Sequence, residues 1–347
     1  MSDGGGGPVR FGLWYDFRNP SAAGRSHESF YAEVLDQIAY AEELGFGSVW
    51  LTEHHFVADG YTPSPLVILG TVAARTREML LSTSLMLLPL ADPVRIAEDA
   101  AALAILSGGR FDLGIGVGYR QLEFEAFKRR VSHRPSLMEE GIEIIRRAWA
   151  GESMHCAGKR FSLPDVRMAP LPTRPPRLLI GAMTEPGIER AARLGDGFLS
   201  TQNAHIPQYL EAIQQVGKDP AQAQVHAGQW VIIDEDPEAT WARIGDHALY
   251  QLNEYITWGA FGPPDQVPRF PDRDAIVAGG AYQLWDGPTA VAELGALMRA
   301  HPQIRDIYFW AQLPGESVES GTRRIEYFAD QVAPRLAATV DAPAPTA

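Results

Sequence analysis

The sequence predicts an α/β protein, a (β/α)8 TIM barrel with an insertion near the seventh repeat, and three observations carry that expectation. Short apolar runs alternate with amphipathic helical runs eight times along the chain, the pattern of a parallel sheet with crossover helices. With 347 residues and 46% hydrophobic content, the chain can bury one large core of barrel size. The connections between runs carry helix caps and stops where such repeats need them.

The first unit is Phe11 to Trp14 followed by a helix over Glu28 to Leu44, and the second is Ser48 to Thr52 followed by Pro65 to Arg75. Met79 to Leu87 with the helix Pro93 to Leu106 forms the third. In that helix Asp92 is a natural cap, Pro93 suits the first turn, and Ile96, Ala100, Leu103 and Leu106 share a face before Ser107-Gly108-Gly109 stops it. Phe111 to Gly116 with a helix around Pro135 to Ala150 is the fourth. A proline-rich connection, MAPLPTRPPR, leads to Leu178 to Gly181 with Pro186 to Leu194, then Gly197 to Ser200 with Ile206 to Val216. The seventh strand is expected at Gly228 to Ile233 and the eighth at Ile304 to Trp310. The aromatic-rich, Gly- and Pro-rich stretch 244–286 fits no simple unit and is expected as the insertion, placed over the active site as long barrel insertions often are. Residues 9–335 are expected as one domain, with flexible tails at 1–8 and 336–347.

A net charge of −13 opposes binding to phosphate backbones and anionic lipid, and the basic residues are dispersed, so neither nucleic acid nor membrane is an expected partner. The lone Cys156 cannot form an internal disulfide, and no zinc-type Cys and His spacing occurs, so no metal site is expected. Met1 to Pro8 lacks the apolar core of a signal peptide, and the apolar run Met79 to Leu90 is too short to span a bilayer; a soluble, unprocessed, cytoplasmic protein is expected.

In such a barrel the chemistry sits where strands end, so the candidate residues follow from the strand ends. Thr52-Glu53-His54-His55-Phe56 ends the second strand, and adjacent strand histidines point to opposite faces, which makes the pair a poor metal site and leaves a catalytic role or an ordinary polar strand end open. Ser82-Thr83-Ser84-Leu85 lines the third. The fourth has glycine at every second place, Gly114-Ile115-Gly116-Val117-Gly118, so either a flat ligand approaches the backbone there or the glycines relieve crowding in the barrel. The sixth place after Gly114 is Tyr119, so this is not a dinucleotide fingerprint. Gly181-Ala182-Met183-Thr184-Glu185-Pro186-Gly187 runs from strand end to helix start, where free N–H groups form an anion site. Trp14, Trp258, Phe261, Tyr282 and Trp285 are candidate pocket aromatics, while Tyr308 to Trp310 reads as barrel packing.

The linked motifs TEHHF, DGYTPSPLV, AARTREMLLSTSLMLLPLADPVRIAED and LSGGRFDLGIGVGYRQLEFEAF resemble the bacterial luciferase-like flavin monooxygenases, with similarity over roughly 9–335. The resemblance implies that His54, the first histidine of an EHHF-type motif, stands beside the flavin and acts on protons, with His55 in support and Glu53 among the cofactor-binding residues. It implies a non-proline cis peptide at Ser84-Leu85 beneath the isoalloxazine. It further implies flavin contacts at Gly116, Val117, Gly118 and Tyr119, and phosphate contacts at Arg134 and across Ala182, Met183, Thr184 and Gly187. This chain departs from its relatives at Gly116, where bacterial luciferase has cysteine, and at Val117, where many have a phosphate-binding arginine. The implied function is an FMN-dependent monooxygenase that activates dioxygen at the flavin C4a carbon and acts on a small organic substrate. With no nicotinamide fingerprint, reduced flavin is expected from a separate NAD(P)H:flavin reductase, and a homodimer is implied. The alternative within the same fold is hydride transfer with the deazaflavin coenzyme F420; a flavin-binding protein without turnover is the alternative from another class.

Overall fold

The computed structural model describes residues 8–340. Eight parallel strands close on themselves: β1 (Arg10–Tyr15), β2 (Ser48–Leu51), β3 (Leu80–Thr83), β4 (Phe111–Gly116), β5 (Leu178–Gly181), β6 (Gly197–Ser200), β7 (Val225–Gln229) and β8 (Ile304–Trp310), with β8 pairing back onto β1. The expected (β/α)8 barrel is the fold. Helices follow the strands because the chain caps them: Ser26 accepts from the Ser29 N–H, Asp92 from the N–H groups of Val94 and Arg95, and Asp286 from that of Thr289.

Two layers of core result. Between strands and helices lies an aliphatic shell that includes Val34, Leu69, Ile96, Ile142 and Ile188. Inside the barrel four large rings stack in pairs, Trp50 on Tyr308 at 4.6 Å and Trp14 on Trp310 at 4.2 Å. At the strand starts, the buried Asp306 carboxylate accepts from Arg10 at 2.8 and 2.7 Å and pairs with His226 Nδ1 at 2.7 Å. Burial opposes its charge, yet the bonds from His226 and Arg10 hold its pKa far below the usual carboxylate range.

Several expected boundaries move. The third apolar run is interrupted: β3 ends at Thr83, the Ser84-Leu85 peptide is cis as the resemblance implied, and Met86–Leu87 resumes as a separate short strand on β4. The seventh strand starts earlier than Gly228, because His226 is tolerated inside by Asp306 across the register and so hides an interior strand behind a polar residue. The apolar run Val231–Ile233 leaves the barrel and pairs instead with Gln283–Trp285. The stretch expected as irregular from Ile244 begins inside a helix, Pro237–Trp258, capped by Asp236; Gly245 is accommodated there against Trp241 and Arg273. A short helix at Gln121–Ala126 and a helix at Ala333–Val340 were not expected, and the latter runs beyond residue 335 into the expected tail. Residues 1–7 and 341–347 of the expected tails lie outside the described residues.

The glycine-lined face of β4 is not open. A Cβ at Gly114 would collide with the Thr83 carbonyl oxygen, and one at Gly116 with the Leu85 methyl groups, which also fill the space beside Gly181. Crowding relief is therefore what these glycines provide. Gly114→Ala presses carbon against a backbone atom that cannot rotate away, so we expect a loss of at least about 2 kcal/mol in denaturant unfolding; wild-type stability in that variant would contradict the packing described.

Candidate active site

Beyond β2 the chain turns through Thr52 to Phe56, and the His54 N–H donates to the Thr62 carbonyl at 3.1 Å, which pins the histidine over the strand ends. The His54 side chain is buried between two partners: Nδ1 lies 2.9 Å from Glu123 Oε1 and Nε2 lies 2.8 Å from the Tyr119 hydroxyl. A carboxylate only accepts, so Nδ1 carries the proton and Nε2 accepts from the phenol. Glu123 Oε1 also accepts from the His55 N–H at 2.8 Å and lies 3.7 Å from Arg120. Burial opposes ionisation of Glu123, but His54, the His55 N–H and Arg120 together lower its pKa below the normal glutamate value. Burial pushes the Tyr119 phenol well up, so it stays a neutral donor.

Rings close this centre. Tyr61, Tyr119, Trp258 and Tyr255 lie 4.9, 5.2, 5.1 and 6.3 Å from the imidazole, and the hydroxyls of Tyr61 and Tyr255 bond at 2.7 Å. Behind Tyr61 and Trp258 sits the buried Arg18, which donates to Asp59 at 2.6 Å and faces the rings of Tyr61, Tyr250 and Trp258. Asp16 accepts from the Arg18 N–H; burial raises its pKa to about 6 against the opposing pull of Arg18.

The sequence-predicted residues fall into three places. His54 and Tyr119 meet directly. Glu53 is turned to the protein, one oxygen 3.1 Å from His55 Nε2 and the other accepting from the Leu87 N–H, so it clamps the end of β2 to the chain beyond the cis peptide. The Trp14 indole N–H donates to the Ser84 carbonyl at 3.1 Å and the Ser84 hydroxyl bonds Tyr308, which holds Leu85 against Gly116 and Gly181.

Because β4 and β5 are neighbours, Gly116 to Tyr119 and Ala182 to Gly187 lie side by side at the barrel mouth. Arg134 joins them by donating to the Gly118 carbonyl at 3.0 Å. Thr184 leads into its helix without a side-chain capping bond, Met183 is exposed, and the Gly187 N–H is spent on Thr184. Val117 is half-buried against the aliphatic shell and brings no donor.

The expected pocket aromatics separate. Trp258 covers His54; Trp14 and Tyr282 are core residues, the latter bonding Gln251 at 2.7 Å; Trp285, with Phe261, lines a distinct cavity beneath the excursion that follows β7. Sequence reasoning missed Glu123 as a site residue; it lies on the short helix Gln121–Ala126, which the sequence did not announce. Arg18, Asp59, Tyr61 and Tyr255 carried no local signal, since only the closure of the barrel assembles them.

A sequence model of the luciferase-like monooxygenases matches residues 9–294. The chain belongs to that family. An alkanal monooxygenase beta chain from Vibrio harveyi is 26% identical over 72% of this luciferase-like chain and 78% of its own. An F420-dependent glucose-6-phosphate dehydrogenase from Amycolatopsis mediterranei is 28% identical over 55% and 60%. Among solved structures, the monooxygenase RslO1 from Streptomyces bottropensis superposes with a TM-score of 0.81 at 25% identity, over 94% of this chain and 99% of its own. The chain spans about half the length of several curated relatives it matches, 51% of one and 42% of another. Oxidoreductases using FMN and others using F420 occur among these relatives, so the chain shares its family with both.

The Asp16 carboxyl gives this site a pH signature. Its folded pKa lies above the unfolded value of about 3.9, so its contribution favours the fold at low pH and is lost as pH rises from about 4 through about 6. Asp16→Asn removes that component: stability of the variant relative to wild type should rise between pH 4.5 and 7.5 in thermal melts, and a flat difference would contradict the assignment.

Proposed function

We propose that this protein is an FMN-dependent monooxygenase that uses reduced flavin and dioxygen on a small organic substrate. The observation that carries the reading is the buried His54, with Nδ1 held by Glu123 and Nε2 facing a phenolic donor, at the end of a strand that Glu53 clamps to the chain just past the Ser84-Leu85 peptide. The residues present suit a phosphorylated flavin. Leu85, seated among Gly116 and Gly181, offers an apolar surface for a ring, while Arg134, the Thr184 hydroxyl and the Glu185 N–H offer donors for a phosphate. Reduced FMN, when bound, would supply the two electrons that dioxygen needs to oxygenate a substrate.

The chain's own part is proton control and exclusion of water. Glu123 fixes the tautomer and ring plane, so a proton would reach or leave His54 Nε2 through the Tyr119 hydroxyl bonded to it, the phenol giving up one proton as it takes another and staying neutral. Tyr61, Tyr255 and Trp258 keep bulk water off that nitrogen. With no nicotinamide fingerprint in the sequence, we assign supply of reduced flavin to a separate NAD(P)H:flavin reductase, and the cytoplasm suits such a supply. One observation favours F420 and hydride transfer as the second reading: Val117 brings no guanidinium to the phosphate.

Anaerobic titration with FMN and, separately, with F420 tests the choice. We expect reduced FMN to bind at least ten-fold tighter and oxygen to be consumed on its addition; preference for F420 without oxygen uptake would move the protein to hydride transfer. In His54→Ala, FMN affinity should stay while turnover falls about 10²- to 10⁴-fold; unchanged turnover would remove His54 from the mechanism.

We also assign a homodimer, formed by the helices Pro65–Arg75 and Pro93–Leu106. Their outward faces expose Val67 at 74% and Leu106 at 73%, in a fold whose other helices turn mostly polar residues to solvent. The double variant Val67→Glu, Leu106→Glu should halve the mass measured by light scattering; a wild-type mass in the variant, or a monomeric wild type, would contradict this surface.

A further inference from the structure

A cavity of about 1340 Å³ lies between the ends of β6 and β7 and the excursion that leaves the barrel after β7. It exceeds the 300–1,000 Å³ usual for small-ligand sites. Its walls include Trp230, Leu252, Ile256, Phe270, Trp285 and Leu297. The only charged side chains on the lining, Arg269 and Glu293, are both exposed, and Arg269 donates to the Thr257 hydroxyl at 3.1 Å. An ionised ligand deep in this space would lose its hydration and meet no buried counter-charge.

The strand ends contribute a different kind of polarity. Asn203 and Gln229 both line the cavity and bond each other reciprocally, Asn203 Nδ2 to Gln229 Oε1 at 3.1 Å and Gln229 Nε2 to Asn203 Oδ1 at 3.0 Å. Each carboxamide has two N–H donors and a carbonyl with two lone pairs, so the mutual pair leaves one donor and one acceptor site on each side chain. Gln229 is buried, which makes its remaining capacity valuable to a ligand that satisfies it. The cavity also lies one ring layer from the proton-handling centre, since Trp230 packs edge-on against Tyr255 and Tyr255 lies against His54.

We infer that this cavity is the substrate pocket and that it selects a large, uncharged, ring-bearing carbonyl compound whose oxygen is held by the Asn203–Gln229 amide pair. The inference rests on the monooxygenase reading for its use of the word substrate; the selectivity itself is a binding property of this chain. Apolar rings fill the walls, the carbonyl meets a neutral donor, and carboxylates are refused.

Calorimetry with three matched tricyclic probes separates these claims: 9-fluorenone, fluorene, which lacks the carbonyl, and 9-fluorenone-4-carboxylate, which adds a charge. The protein is used both as purified and with FMN added. We expect fluorenone to bind at least ten-fold tighter than either comparison probe. In the double variant Asn203→Leu, Gln229→Leu, fluorenone should fall to the level of fluorene while fluorene is unaffected or improved. Leu297→Trp, which fills the wall without touching the amides, should weaken both neutral probes at least ten-fold and serves if the double variant fails to fold. Equal binding of fluorenone and fluorene, tighter binding of the carboxylate, or indifference to Leu297→Trp would overturn the inference. If the probe order holds while FMN does not bind, the pocket stands and the monooxygenase reading falls; if FMN binds and the probe order fails, the pocket assignment falls alone.

Discussion

The Glu123 carboxylate is the point from which the mouth of this barrel is organised. A fully buried charge has to be compensated by donors brought to it, and here the donors are His54 Nδ1, the His55 backbone and, at longer range, Arg120. Each belongs to a different demand: orientation of the imidazole, the path of the chain after β2, and the loop after β4, where Arg120 reaches back to the His55 carbonyl. Removing the carboxylate would release all three at once. The arrangement also explains why His54 can sit in a cup of rings, since its hydrogen-bonding needs are met sideways and its faces are left to Tyr61 and Trp258.

Stability and chemistry occupy opposite ends of the same strands. At the strand starts, the buried Asp306 and His226 are joined to the part-exposed Arg10. At the strand ends, the buried charges are gathered around His54 and Arg18 instead. Between them lies the stack of Trp50, Tyr308, Trp14 and Trp310, a packed core in the barrel axis that keeps the two networks from exchanging water. The Ser84 carbonyl and hydroxyl are tied to two members of that stack, so the segment that carries Leu85 takes its position from the core.

Much of this was legible in the sequence. Alternation of apolar runs and capped helices is a local signal, and it located six strands closely; the two exceptions have physical causes. The third apolar run conceals a break because Ser84 and Leu85 look like any buried strand pair. Val225–Gln229 conceals a strand because His226 is made acceptable by Asp306, eighty residues away. The motif around His54 and the turn at Thr184 are contiguous in sequence, which is why a family resemblance could point to them. Arg18, Asp59, Tyr61 and Tyr255 come together only in three dimensions, and so do Thr83 and Leu85 against the glycines of β4, which decide between the two readings the glycine spacing left open.

The two-strand clasp between Val231–Ile233 and Gln283–Trp285 has an evolutionary meaning. The chain leaves the barrel and returns to it through one hydrogen-bonded neck, so the excursion in between can lengthen, shorten or change sequence at the modest entropic cost of a longer closed loop. Past the helix Pro237–Trp258, whose Tyr255 and Trp258 close over His54, that neck lets the outer part of the excursion vary while the eight-stranded frame stays fixed. A lineage, or a laboratory library confined to residues 259–271, can thus explore new ligand shapes while inheriting an intact catalytic scaffold.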